Sequence, residues 1–452
     1  MAQYNFKVCY TNPQFLTTAG YGLVAHLPFL LDAKPAYHRH GSRYLIDRGL
    51  GKWVAGKPAG TTGTPPTPRS IGAYAAWLAN FLEWSERRGI DLLKADYTTH
   101  VHGRYQSELQ NGSWSRDGKG LSPATVNLYV DTACDYLRWL AAKGIRSTFS
   151  IPSITRTIST GSATSSTAHR LKTIESRSGK VRQSPRKLRI PNDQEVRRWL
   201  QTVYERKGKT SGLMCESVLM TAVRREELCC FRVDTLPADP VKWHVANPTA
   251  EYEHQIVNVT IRYGVKGPSY GSESGDKIGP EKIIGMPMHL AQKLHRYRTI
   301  DRPKLLAKWI SGIRGAAAQA RRREESVHMF LNGTGQRVKA TQFFRAWKNG
   351  DMPFDEWSPH LGRHWWACSV LWREIKAHEQ FNHTSGAAAA GALLAAVGKD
   401  IIRLTIQPQL GHINESITFV YLQWLADMIG VALPEQYQRH MLDDTPYTMG
   451  EV

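Results

Sequence analysis

Residues 151–189 carry nine Lys or Arg against Glu175 alone, a net of +8, in a run that includes "TRTISTGSATSSTAHRLKTIESRSGKVRQSPRKLR". So few apolar side chains interrupt it that it cannot bury enough surface to fold by itself, and it reads as a flexible basic linker. Folded structure is therefore expected on either side of it. The length of 452 residues points the same way, because it exceeds what one compact core usually organises. A neutral spacer would be as flexible without being so cationic. The charge favours a strap across a phosphate backbone, with Arg170, Lys172, Arg177, Lys180, Arg182, Arg186, Lys187 and Arg189 as its contacts.

The whole chain repeats the bias. Lys and Arg number 59 against 39 Asp and Glu, a formal balance of +20, which favours a polyanionic partner, nucleic acid above all, over a small neutral substrate. Six cysteines lie scattered, with Cys229 and Cys230 adjacent and no C-x-x-C pair, so neither a zinc site nor a disulfide framework is expected. Two histidines of "HRH", His38 and His40, lack carboxylate or thiol companions and read as surface residues. The start, "MAQYNFKVCY", lacks the basic opening and apolar core of a signal peptide. The small, apolar run "GAAAAGALLAAVG", residues 386–398, has thirteen residues where a membrane-spanning helix needs about 20. These features together give the expectation of a cytoplasmic protein with no membrane association, nucleoid-associated if bacterial.

Residues 1–67 form an extension of unassigned role that ends in the Pro- and Gly-rich "KPAGTTGTPPTPRS". In "SIGAYAAWLANFLEWSERRG", Tyr74, Trp77, Leu78, Phe81 and Leu82 recur at helical spacing and Gly89 can end the helix. In "LSPATVNLYVDTACDYLRWLAAKG", Ser122 caps, Pro123 opens, Val126, Val130, Ala133, Leu137 and Leu140 form one stripe, and Gly144 lies beyond the end. These two helices frame a helical domain over 68–150. A second unit spans 190–425. There "HQIVNVTIRYGVKG" alternates like a strand, with "KIIGMPMHL" as its return, and helices carry "LAQKLHRYRTI", "ATQFFRAWKNG" and "RHWWACSVLWREIKA". Residues 426–452 form a tail that could dock on a neighbouring subunit. The expected class is mainly α with a small β-sheet, an α+β fold.

Three local patterns carry chemistry. In "TAVRREELCCFRV", Arg224 and Glu227 are three apart, which alone describes a surface ion pair. In "SPHLGRHWWA", His360 and Arg363 can project from one side of a helix's first turn. In "LGHINESITFVYLQW", His412 precedes Tyr421 by nine positions. A straight helix would hold them about 13 Å apart along its axis, too far to act on one atom. Asn414 and Glu415 can instead start a new helix after His412, which lets the imidazole and the phenol converge.

Taken in order, these residues resemble the tyrosine recombinases, or phage-type integrases. That family has an Arg in a "TGLRxxE"-like box, a Lys on a β-hairpin, then "HxLRH", then "LGH" followed nine residues later by the nucleophilic Tyr. Here "TAVRREEL" supplies Arg224, "GVKG" supplies Lys266, "HLGRH" supplies His360 and Arg363, and "LGHINESITFVY" supplies His412 and Tyr421. The resemblance covers about residues 70–425 and extends to the two helices of 68–150, which look like the family's core-binding domain. Ala222 and Val223 stand where Gly and Leu are usual, and Gly362 where Leu is usual. An insertion-like stretch, "AHEQFNHTSGAAAAGALLAAVG", lengthens the interval from Arg363 to His412 to 49 residues. On the long hairpin Lys277 and Lys282 rival Lys266, which is preferred because it ends an alternating strand at a turn.

The resemblance implies a site-specific recombinase of integration, excision or transposition. It would cut and rejoin DNA through a 3′-phosphotyrosyl intermediate on Tyr421, without metal or cofactor. Two guanidiniums suit the non-bridging oxygens of the transition state, and a lysine of lowered pKa suits protonation of the departing 5′ oxygen. His360 and His412 would share proton transfer and phosphate binding. Glu227 would orient Arg224, and His364 would be structural. The partners implied are double-stranded DNA, a tetramer in the synaptic complex, and accessory DNA-bending or element-encoded proteins. A type IB topoisomerase and a catalytically silent architectural protein are the alternative readings.

Overall fold

The computed structural model describes residues 6–32, 34–115, 117–159, 171–183, 188–377, 397–411 and 419–429. The chain divides into two compact units, Met1–Pro185 and Arg186–Val452. It is mainly α-helical, with small antiparallel sheets.

In the first unit a short antiparallel pair, β1 (Lys7–Cys9) and β2 (Phe29–Leu31), flanks α1 (Pro13–Thr18), and α2 (Arg39–Gly49) follows. Thr67 accepts a hydrogen bond from the Ser70 N–H, and Pro68 opens α3 (Pro68–Arg87). A π-helical stretch, Tyr97–Gln106, runs into α4 (Ser107–Asn111). Ser122 caps α5 (Pro123–Ala142), and Gly144 beyond its end adopts φ 68°. Caps of this kind each contribute about 1 kcal/mol. Leu78, Phe81 and Leu82 of α3 and the whole stripe Val126, Val130, Ala133, Leu137 and Leu140 of α5 are buried against one another. Tyr74 and Trp77 lie at the margin, half-buried.

The described residues before α3 contribute to this core rather than standing apart from it. Leu30, Tyr44, Leu45 and Trp53 are buried in the same cluster as α3 and α5. The buried Asp135 of α5 accepts hydrogen bonds from Tyr44 Oη at 2.8 Å and Trp53 Nε1 at 3.1 Å, and Trp139 Nε1 donates to Asp47 at 3.0 Å. Turn residues at 57–68 end a loop here and do not mark a domain edge.

The basic segment also departs from expectation. β3 (Ser153–Ser159) and β4 (Leu171–Arg177) pair antiparallel, with Ser153 opposite Arg177 and Ser159 opposite Leu171. In that register Thr157 is opposite Thr173, Arg156 opposite Ile174 and Ile158 opposite Lys172, and such β-branched residues suit a pleated strand better than the charge count implies.

The second unit begins with α6 (Asp193–Thr221), opened by a reciprocal cap between Asn192 and Glu195 and kinked at Gly208, φ 75°. The short α7 (Arg225–Cys229) follows. β5 (Ile256–Tyr263), β6 (Ser272–Glu273) and β7 (Asp276–Pro287) form a sheet of order β5-β7-β6, with Val257, Val259, Ile261, Ile284 and Met286 on its buried face. The return strand starts earlier than its apolar residues indicate. Asp276, 2% exposed, anchors it through His328 Nε2 at 2.7 Å and through Arg337.

Four helices follow: α8 (Met288–Arg296), α9 (Arg302–Ser311), α10 (Ala316–Glu325) and α11 (Ala340–Trp347). Next come α12 (Pro359–Ala377), α13 (Gln407–Leu410) and α14 (Phe419–Ile429). Trp199, Trp347 and Trp357 are fully buried together, and α12 crosses Trp347 at Gly362, where a Cβ would come within 2.6 Å of the indole. The absence of a side chain at Gly362 is thus matched to a tryptophan. The inserted stretch at 377–398 and the tail at 426–452 lie almost wholly outside the described residues. No helix among the described residues is long and apolar enough to cross a membrane.

Candidate active site

Four chain segments of the second unit bring their ends to one place. α6 stops at Ala222, which takes a left-handed φ of 52° although it is not glycine, and this redirects the chain so that Arg224 precedes α7. Such a backbone costs an Ala about 1 kcal/mol and persists where neighbours hold it. Arg363, 4% exposed on α12, donates to the Ala222 carbonyl and to the Leu410 carbonyl at 3.1 Å. Gln409 donates from Nε2 to the Thr221 carbonyl at 2.8 Å and the Gly285 carbonyl at 2.9 Å, while its Oε1 accepts from the Gly285 N–H at 2.8 Å. Gln409 thereby ties α13, the end of α6 and strand β7 together. The sequence reading missed it, because an uncharged amide beside "LGH" has no signature of its own.

Glu227, fully buried on α7, is the hub. Its Oε2 accepts the Arg224 backbone N–H at 2.8 Å, its Oε1 accepts Arg224 Nη1 at 2.8 Å, and Lys282 Nζ lies 2.8 Å from Oε2. Burial disfavours the carboxylate, but the Lys282 ammonium and the Arg224 contacts outweigh it and hold Glu227 below the usual carboxyl range. Lys282 points inward from β7 with its side chain 11% exposed. Its pKa falls to about 8, because burial outweighs the raising effect of Glu227 and the guanidiniums of Arg363 and Arg224 add to the fall.

Lys282, not Lys266, is the hairpin lysine of this cluster. Lys266 is exposed at the β5 turn, and Lys277 Nζ is spent on the Val265 carbonyl at 3.2 Å and the Gly267 carbonyl at 2.5 Å, bracing that turn. Alternation placed Lys266 at a strand end correctly but could not say which lysine the sheet aims at Glu227.

His360 sits in the first turn of α12, where partial burial and then the Arg363 and Arg224 charges lower its pKa. Burial also takes Arg363 down to about 10, with Arg224 acting in the same sense. Arg224 Nη2 reaches the Gly411 carbonyl at 3.4 Å, and the Gly411 backbone packs beside Lys282. His412 lies outside the described residues.

Tyr421, 1% exposed on α14, packs on α12. Burial pushes its phenol well above the ordinary value, and Arg363 opposes that rise. His364 Nδ1 is 2.9 Å from Tyr421 Oη, a contact the sequence reading did not foresee. The signal for it was its position one residue after Arg363 and four after His360 on one helix.

No protein-family model matches the chain, and no curated protein matches it. Solved structures do. The XerH site-specific recombinase, in a post-cleavage complex with a palindromic difH substrate, is 14% identical, with a TM-score of 0.45 over 80% of this chain and 79% of that one. The Tn1549 transposon integrase in complex with circular intermediate DNA is 13% identical, with a TM-score of 0.42 over 79% and 90% of the two chains. A lambda integrase fragment, a dimer bound to a COC' core site, is 13% identical, with a TM-score of 0.41 over 79% and 89%. The likeness is to recombinases and integrases. At such distances the chemistry rests on this chain's own side chains.

The basic strap divides. Arg177 is buried: Nε donates to Asp131 at 2.9 Å, Nη1 to Tyr97 Oη and Gln106 Oε1 at 2.8 Å each, and Nη2 to Asn127 at 3.2 Å. It fastens β4 to the helices and is not available to a phosphate. Lys180 pairs with Asp131 at 2.9 Å, and Arg189 lies over the Phe354 ring at 4.3 Å. Arg182 is exposed. Arg170, Arg186 and Lys187, and the side chain of Lys172, lie outside the described residues. Among the described residues no group of three or more His, Cys, Asp or Glu is placed to hold a metal ion.

Proposed function

We propose that this chain cuts and rejoins double-stranded DNA by transesterification, with Tyr421 as nucleophile, in the manner of the tyrosine recombinases. The observation that carries the reading is the meeting of Arg224 and Lys282 on the Glu227 carboxylate, with Arg363 fixed on the Ala222 and Leu410 carbonyls and His360 within the field of both guanidiniums, in the same unit as the helix that bears Tyr421. Three permanent or near-permanent cations around one buried carboxylate leave a local surplus of positive charge, which a phosphodiester would neutralise.

In this reading Arg224 and Arg363 donate to the non-bridging oxygens as negative charge grows there. Held rigidly by Glu227 and by two backbone carbonyls, they need little reorganisation. Tyr421 forms the oxygen–phosphorus bond. Lys282, its pKa brought to about 8, protonates the departing 5′ oxygen. The 3′-phosphotyrosyl ester conserves the bond energy, so a 5′ hydroxyl of another strand can reverse the step. Tyr421 is 1% exposed, so DNA entry must uncover the phenol before attack. Two DNA sites joined in a tetramer, and a role in moving a genetic element, complete the proposal.

The test uses a pool of nicked duplexes of randomised sequence. The full chain is expected to form a covalent protein–DNA adduct that persists in excess chelator and is absent with Tyr421→Phe. An adduct that survives Tyr421→Phe, or one that needs added magnesium, contradicts the reading.

A further inference from the structure

Tyr421 Oη lies 2.9 Å from His364 Nδ1, and His364 Nε2 lies 3.2 Å from His360 Nε2. The two imidazoles meet edge to face, with centroids 4.6 Å apart, because they stand one helical turn apart on α12. Exposure rises along the line: Tyr421 is buried, His364 half-buried and His360 exposed. Among the described residues, the fully buried Ala367, Cys368, Leu371 and Leu425 share the apolar cluster that holds Tyr421. A proton leaving Tyr421 therefore has a histidine at hydrogen-bond distance and a second histidine beyond it at the surface. Arg363, between them in sequence, directs its guanidinium to the Ala222 and Leu410 backbone carbonyls.

We infer that His364 is a catalytic base, which takes the phenolic proton of Tyr421 on Nδ1 and releases its own Nε2 proton to His360. This assignment rests on the phosphotyrosyl reading and extends it to a histidine outside the Arg, Lys and His set above. The assignment requires a resting His364 whose Nδ1 accepts from the phenol and whose Nε2–H donates to His360. On attack the Tyr421 O–H bond breaks and its electron pair forms the bond to phosphorus. The proton shifts along both imidazoles, His360 becomes the imidazolium, and the bond from phosphorus to the 5′ oxygen breaks with Lys282 protonating that oxygen. Rejoining runs the same transfers backwards, so nothing is consumed.

The test combines kinetics with a spectroscopic measurement. Single-turnover adduct formation is followed for the wild-type chain, His364→Ala and Lys282→Ala. The probe is a nicked duplex selected by the wild-type chain from the randomised pool, prepared with oxygen or with sulfur at the bridging 5′ position. His364→Ala is expected to be slower by about 100-fold on both duplexes and to regain rate with free imidazole, whereas Lys282→Ala recovers on the sulfur duplex, whose thiolate leaves without an acid. In the DNA-free protein, ¹⁵N spectra are expected to show His364 protonated on Nε2 alone, with its Nδ1 signal moved by Tyr421→Phe. A wild-type rate in His364→Ala, a defect that sulfur erases or imidazole leaves untouched, or a proton on Nδ1 would each overturn the assignment alone. Absence of any adduct from the wild-type chain would overturn the phosphotyrosyl reading itself, and this assignment with it.

Discussion

Lys266 and Lys282 are sixteen positions apart on one hairpin, yet only the second meets a carboxylate. Lys282→Ala is therefore expected to lower the rate of strand cleavage by about 100-fold or more, and Lys266→Ala to leave it within a few-fold. Equal loss from both would remove Lys282 as the acid. The acid role also carries a sign in pH. The donor must be protonated, so cleavage should fall as pH rises through about 8, the Lys282 value in the free protein. Glu227 raises that value, so Glu227→Gln should move the fall to lower pH; a pH–rate profile that does not move would contradict the coupling. Arg224, Arg363 and Tyr421 were legible because their order and spacing are themselves a pattern. Gln409 and the choice among lysines were not. Both depend on how β7 is laid against α6, which no local spacing encodes.

Helices were easier to foresee than strands. Periodicity and caps marked α3 and α5 within a residue or two, and the alternating apolar residues of β5 marked the hairpin. Charge misled at β3 and β4, where the pairing joins segments separated by residues 160–170 and β-branched residues, which favour strands, alternate with the basic ones in sequence. Arg177, counted as a strap residue, closes that hairpin onto α5 and the Tyr97–Gln106 segment. Arg177→Ala should destabilise the first unit by about 3 kcal/mol, since Asp131 loses a partner and buried Gln106 loses a donor. A denaturation midpoint that does not change would contradict this. Gly362 poses the complementary case. Gly362→Ala forces a Cβ to 2.6 Å from Trp347, and overpacking of this kind costs about 1–3 kcal/mol in spite of alanine's better helix propensity. Thermal unfolding should show the loss, and a gain in stability would mean that α12 can shift away from the indole.

At the scale of the molecule, two compact units share one chain, and the boundary between them falls inside the basic run, at Pro185. The expectation that residues 1–67 stand apart fails for a physical reason. Composition reports where turns occur, but not that Asp135 of α5 accepts from Tyr44 and Trp53, and Asp47 from Trp139 of α5. The balance of +20 bears on the partner more than on the fold. If phosphate contacts supply the affinity, DNA binding should weaken by roughly 10³-fold or more between about 50 and 200 mM salt, and a flat titration would deny the polyanion its place. The central claim, a phenol at 421 delivered to a phosphate held by Arg224, Lys282 and Arg363, is tested most directly by protease digestion and mass spectrometry of the trapped adduct. The account predicts that the nucleotide's 3′ phosphate is carried by the peptide containing Tyr421. Attachment at any other residue would contradict it.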